Sequence, residues 1–123
     1  MIRKLDHLVI TTAQLEACIA FYRTLGFEAV DAGGRWELYA GDFKINVHIE
    51  GRELEPKARY VQTGSADLCF ELVVSLAECL IRLERAGIPP ELGPVVRHGV
   101  HGGMTSVYLR DPDENLIELC CYE

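Results

Sequence analysis

Two histidines, His7 and His48, and two acids, Asp67 and Glu118, fall at strand positions along a chain of 123 residues. Imidazole with carboxylate is a donor set that holds a divalent cation such as Ni²⁺, Zn²⁺, Fe²⁺ or Mn²⁺. A cation with open positions can take two adjacent oxygens of a small substrate and absorb the negative charge that develops on them, while a nearby carboxylate removes a proton. His7, His48 and Glu118 are the candidate metal ligands, and Asp67 and Glu118 the candidate acid–base groups, with Asp67 as a fourth ligand or a general base. They lie far apart in the sequence, so the fold has to gather them.

An internal repeat suggests how. Leu15, Cys18, Ile19, Tyr22 and Leu25, followed by Gly26, recur 61 positions later as Leu76, Cys79, Leu80, Leu83 and Ala86, followed by Gly87. The stretch from Gly33 to Asp42 lines up in the same way with Gly102 to Asp111. Duplication of this kind sets the architecture before any single residue is weighed. It places His7 opposite Asp67 and, after one inserted turn residue, His48 opposite Glu118.

The elements follow from periodicity. Residues 5 to 11 read as a β-strand with His7 among apolar neighbours, and the apolar spacing of residues 15 to 25 predicts a helix ended by Gly26, with Thr11 and Gln14 as a capping box. Short strands fit 27 to 32, 35 to 41 and 43 to 50, separated by the turn signals Gly33-Gly34 and Gly41-Asp42. In the last of these Phe43, Ile45, Val47 and Ile49 alternate with Lys44, Asn46, His48 and Glu50, so His48 points to the polar side. Residues 51 to 65 are polar and read as a linker. The second half repeats the order: a strand over 66 to 73, a helix capped by Ser75 and Glu78 and stopped at Gly87, and strands over 91 to 97, 103 to 110 and 115 to 122.

The expected fold class is α+β: two βαβββ modules, 1 to 50 and 66 to 123, joined in a single domain. They would form a curved mixed sheet, a cup, with helices on its outer face and His7, His48, Asp67 and Glu118 on its concave side. Length agrees with one domain.

Composition narrows the partners. The net charge of −7, with no cluster of Lys or Arg, argues against nucleic acid, and no apolar run approaches the ~20 residues needed to cross a bilayer. The opening Met1-Ile2-Arg3-Lys4 lacks the apolar stretch of a signal peptide, and five scattered cysteines match neither a disulfide framework nor a zinc knuckle, so a cytoplasmic protein with reduced thiols is expected. Cys18, Cys79, Cys69 and Cys120 are assigned packing roles. A small molecule is the expected partner.

Three segments carry a resemblance: Asp6-His7-Leu8-Val9-Ile10, the helix unit with Phe21-Tyr22 and Leu25-Gly26-Phe27, and the run from Leu109 to Leu119. Together they resemble the vicinal oxygen chelate superfamily of glyoxalase I, extradiol dioxygenases, fosfomycin-modifying transferases and bleomycin-binding proteins, over essentially the whole chain. The resemblance implies a cation held from the first and fourth strands of each module, hence by His7, His48, Asp67 and Glu118, and a homodimer. Glyoxalase I usually has Glu where His48 stands and His or Gln where Asp67 stands. The leading expectation is a metal-dependent, glyoxalase I-like lyase or isomerase that works through a metal-stabilised enediolate. The alternatives are an extradiol-type dioxygenase with non-haem iron and a non-catalytic drug- or metabolite-binding protein.

Tyr39 and Tyr108, at matching positions of the repeat, are candidate substrate contacts, as is His101 in the glycine-rich stretch 97 to 103. The acidic turn from Asp111 to Asn115 lacks the ligand spacing of a calcium loop and is read as turn chemistry.

Overall fold

The computed structural model describes residues 1–122 and is α+β, built as two βαβββ units that divide between Ser65 and Ala66. The first unit contains β1 (His7–Thr12), α1 (Leu15–Thr24), β2 (Glu28–Asp31), β3 (Trp36–Ala40) and β4 (Phe43–Ile49). Its sheet runs β1-β4-β3-β2, with β1 parallel to β4 and the other pairs antiparallel. The second contains β5 (Asp67–Glu71), α2 (Leu76–Arg85), β6 (Leu92–Gly99), β7 (Gly102–Arg110) and β8 (Leu116–Tyr122), in the order β5-β8-β7-β6 with the same senses of pairing. The duplication seen in the sequence is therefore a duplication of topology.

Each unit has its own core. In the first, Cys18, Ile19 and Tyr22 of α1 are buried with Leu38, Ile45 and Val47 of the sheet. Edge-on ring contacts run from Tyr22 to Phe27 and on to Phe43, at centroid separations of 5.5 and 6.0 Å, in the geometry that the ring quadrupole favours. In the second, Cys79 and Leu83 of α2 are buried with Val107, Leu109, Ile117 and Leu119. The alternate residues of β4 and β8, which include Asn46 and Glu118, lie on the other face of each sheet.

The two helices start differently. Ser75 caps α2 as expected, its hydroxyl accepting from the Glu78 amide at 3.1 Å. The capping box expected of Thr11 and Gln14 does not form: Gln14 holds the N-cap position of α1 with no side-chain cap hydrogen bond, and its backbone N–H donates to the Thr12 hydroxyl at 3.0 Å. A hydroxyl two residues back satisfies the chain before the helix begins.

The acidic turn is structural. Asp111 Oδ1 accepts from the amides of Asp113 and Asn115 at 2.9 and 3.0 Å, and the Asn115 amide group donates to Asp111 Oδ2 at 2.7 Å. Asn115 Oδ1 in turn accepts from the Ala66 amide at 2.9 Å and ties down the start of β5. All five cysteines are free thiols, with Cys18, Cys79 and Cys120 buried, Cys121 half-buried and Cys69 exposed.

Candidate functional site

Backbone register decides which side chains stand together. In parallel β1 and β4, His7 pairs with Lys44 and Thr11 with His48; in β5 and β8, Asp67 pairs with Leu116 and Cys69 with Glu118. His7 and Asp67 open the first strands of their units. Two residues beyond His7's partner stands Asn46, and two beyond Asp67's partner stands Glu118. With His7 and Asp67 equivalent, the counterpart of Glu118 is thus Asn46, and His48 matches Cys120. The expected pairing of His48 with Glu118 is corrected, because no single register satisfies both pairs.

The same shift separates the tyrosines. Tyr39 pairs with Lys44, whereas Tyr108 pairs with Glu118, so the counterpart of Tyr108 is Glu37. The repeat in the sequence aligned the turns before these strands, but the second hairpin carries a longer connection, Asp111 to Asn115, before β8. The register here is shifted by two residues, an even slip that exchanges neighbours without disturbing the alternation of faces, which is why the faces were legible and the register was not.

In the first unit His7 is half exposed and its Nδ1 lies 2.7 Å from Asp6 Oδ1. A carboxylate on one ring nitrogen fixes the ring and leaves Nε2 to a cation or a substrate. The His7 ring holds the Asp6 carboxyl below its ordinary range through that hydrogen bond. His48 lies on the same face but four ladder steps along, about 13 Å away at the rise of a strand. Two imidazoles standing off the sheet at that spacing do not share one ion.

Between them stand Lys44 and Asn46. Lys44 Nζ is 2.8 Å from Glu37 Oε2, and the Tyr39 hydroxyl donates to Glu37 Oε1 at 2.7 Å. These donors lower the Glu37 carboxyl, Lys44 first, while Glu37 raises both the ammonium of Lys44 and the phenol of Tyr39. Asn46 Oδ1 is buried and, among the described residues, is the one buried side-chain N or O atom with no hydrogen-bond partner. Such an acceptor is costly unless something donates to it.

The second unit is different in kind. Ser106, fully buried, donates to Glu118 Oε2 at 2.6 Å. Tyr108 faces the same carboxylate; burial first, then Glu118, raises its phenol, against Arg97, whose Nε donates to the Tyr108 oxygen at 2.9 Å. Cys69 and Cys120 hydrogen-bond to each other beside Glu118, and burial pushes both thiols up. Asp67, exposed, shares this face two ladder steps from Glu118.

His101 sits in the β6–β7 turn. Its amide donates to the Tyr122 hydroxyl at 3.3 Å, and the two rings meet edge-on at 5.3 Å. Among the described residues, no three His, Cys, Asp or Glu side chains are gathered closely enough to hold a metal ion. Sequence reasoning gives Asn46, Glu37 and Ser106 no role at the site. Strand alternation had placed all three on the polar face, but only the ladder shows what each one meets.

Comparison with known proteins agrees with this architecture. The model of the Glyoxalase/Bleomycin resistance protein/Dioxygenase superfamily matches residues 4–119. The chain is 48% identical over 123 residues to glyoxalase domain-containing protein RDO1 of Mycosarcoma maydis, covering 99% of this chain and 70% of that protein. It is similar to the crystal structure of virulence protein STM3117 of Salmonella typhimurium, with a TM-score of 0.96 and 42% identity over 100% of this chain and 99% of the other. The structure of integron cassette protein VCH_CASS1 of V. Cholerae is also similar, with a TM-score of 0.95 and 46% identity over 100% of this chain and 98% of the other.

Proposed function

The chain belongs to the Glyoxalase/Bleomycin resistance protein/Dioxygenase superfamily, and on that premise we propose that it is a divalent-metal-dependent, glyoxalase I-like lyase or isomerase acting on a small substrate with adjacent oxygens. The observation that carries the reading is the Asp6–His7 contact at 2.7 Å, a ring fixed by a carboxylate on one nitrogen and open on the other. His7 and Glu118 are the proposed ligands, with Asp67 as the further ligand or the general base. A bound cation would supply Lewis-acid stabilisation of negative charge on two substrate oxygens.

The chain's own residues do the rest. Asp6 orients His7, and the Ser106 hydroxyl holds one oxygen of Glu118. Asp67 accepts the proton in this reading, and Tyr108 donates to the charge that forms. His48 and Tyr39 face the substrate rather than the ion, while His101 serves the β6–β7 turn. Donors beyond any one cluster complete the shell, from substrate oxygens or from a second copy of the chain, which fits a cytoplasmic homodimer.

Two readings compete. A ring-cleaving dioxygenase would use the same His7 and Glu118 with Fe²⁺, and a non-catalytic binding protein would need neither. Protein purified without chelator is expected to carry stoichiometric divalent metal by elemental analysis, lost in His7→Ala and Glu118→Gln. It is then expected to isomerise a hemithioacetal with Ni²⁺ or Zn²⁺. Catechol cleavage with Fe²⁺ would favour the dioxygenase, and absence of metal uptake from Ni²⁺, Zn²⁺, Mn²⁺ and Fe²⁺ alike would leave the binding protein.

A further inference from the structure

Arg97, Tyr108 and Glu118 stand on the polar face of the second sheet, one on each of the neighbouring antiparallel strands β6, β7 and β8. Arg97 pairs with Met104, four residues and about 13 Å along β7 from Tyr108, so only two long side chains could join them. They do join: Arg97 Nε donates to the Tyr108 oxygen at 2.9 Å. Arg97 Nη1 donates to the Val96 carbonyl at 2.9 Å, which fixes the guanidinium at a second point. Among the described residues Arg97 enters no ion pair, so this half-buried cation serves a phenol rather than a carboxylate. The bridge passes the rung of Ser106, which is fully buried and holds Glu118 Oε2 at 2.6 Å.

A phenol has one proton to give and lone pairs that accept. With Arg97 on its oxygen, the Tyr108 hydroxyl must turn its proton elsewhere, and the carboxylate of its cross-strand partner Glu118 is the acceptor it faces. Arg97 comes from β6 and Glu118 from β8, on opposite flanks of β7, so the two contacts do not compete. Donation into the oxygen also polarises the O–H bond and makes it a stronger donor. A donor aimed before charge develops needs no reorganisation when it does. The first unit has Glu37 at the position of Tyr108, an acceptor already met by Tyr39 and Lys44, so this device belongs to the second unit.

We propose that Arg97 is a positioning residue that acts through Tyr108: it holds the phenol as a donor aimed at Glu118 and at the substrate oxygen that gains charge beside it. The part that concerns substrate rests on the enzymatic reading. The aim of the hydroxyl is a property of the chain and can be read without substrate, so the two ideas fail separately.

The infrared C–O stretching band of a tyrosine moves with whether its hydroxyl donates, accepts or does both, and subtracting the spectrum of Tyr108→Phe isolates the band of Tyr108. In protein as purified, Arg97→Met is expected to shift that band, and Arg97→Lys, which keeps a donor, to return it towards its original place. In the isomerisation of a hemithioacetal with Ni²⁺, Tyr108→Phe should lower kcat about a hundredfold and Arg97→Met about tenfold, each with KM little changed. The double variant separates a positioning role from a merely structural one. Arg97→Met should cost nothing further in the Tyr108→Phe background, because a residue that acts through another has no effect once that other is gone. Circular dichroism checks that each variant is folded, and Arg97→Ala serves as the second variant if the methionine is not accepted. A Tyr108 band that ignores Arg97→Met, an unchanged kcat in that variant, or losses that multiply in the double variant would each overturn the proposal. A wild-type protein that is inactive with every metal, but whose Tyr108 band still answers to Arg97, would remove the enzymatic reading and leave the aim of the hydroxyl standing.

Discussion

The two units share a topology and oppose each other in chemistry. On the polar face of the first sheet stand a carboxylate-bound imidazole, a Lys44–Glu37 pair and an amide oxygen with no donor. At equivalent positions the second has Glu118 satisfied by Ser106, with Cys69 and Cys120 where the first has Val9 and His48. Duplication preserved the scaffold because the core demands it. The side chains on the other face are not fixed by that core and differ, one unit leaving an amide oxygen without a donor and the other closing a hydrogen-bond network around Ser106 and Glu118.

The largest predicted difference between the units is mechanical. A Cβ at Gly99 would lie 2.0 Å from the Tyr122 hydroxyl and 2.9 Å from Met104 Sδ, whereas one at Gly34, in the β2–β3 connection of the first unit, would meet nothing within 4 Å. Gly99→Ala is expected to cost about 2–3 kcal/mol through overpacking and to displace Tyr122 from His101. Gly34 has φ of +88°, so Gly34→Ala should cost only about 1 kcal/mol of backbone strain. Urea unfolding of both variants checks this, and equal losses would remove the contrast.

The thiols come next. Because burial and the neighbouring Cys120 and Glu118 push Cys69 up, its thiolate is scarce at neutral pH even though the residue is exposed. Alkylation of Cys69 by iodoacetamide at pH 7.5 is expected to be at least about tenfold slower than that of a free thiol, since each unit of raised pKa removes tenfold of the thiolate. Glu118→Gln, which removes the repelling charge, should speed it.

A third substitution makes the first unit resemble the second. Asn46→Asp places a carboxylate at the position equivalent to Glu118, and without a serine donor beside it the new charge should cost about 1–3 kcal/mol of stability. Urea unfolding reads this, and unchanged stability would show that the first unit takes a carboxylate there as readily as the second does.

The smallest effect is on pH dependence. Glu37 is held below the ordinary carboxylate range, so its contribution to stability is present above that range and lost as pH falls through its lowered value. Lys44 is raised, so its contribution is present below the ordinary lysine range and lost as pH rises through the raised value. Glu37→Gln should flatten both limbs of a stability profile measured by thermal unfolding. It should have no counterpart in Tyr108→Phe, whose position in the second unit is equivalent.

Much of this was legible in the sequence. The repeated helix unit gave two βαβββ modules, and alternation along β4 and β8 put Lys44, Asn46, His48, Glu118 and Cys120 on the polar faces. Ser75 announced the cap of α2 by residue type alone. Thr11 did not cap α1, because it belongs to β1 and the helix starts later, with Gln14 at its N-cap. Aligning the two halves with one inserted turn residue sets His48 opposite Glu118, whereas the ladder puts Asn46 on that rung.

Hydrophobic period and turn chemistry are local, so the sequence by itself determined the elements, their order and the face each side chain takes. Register between strands is a long-range property, set by loop length and by how each core packs. A slip of two residues leaves every face unchanged while exchanging every neighbour. For that reason only the tertiary structure decided that Asn46 and Glu118 are counterparts and that His48 stands four rungs from His7.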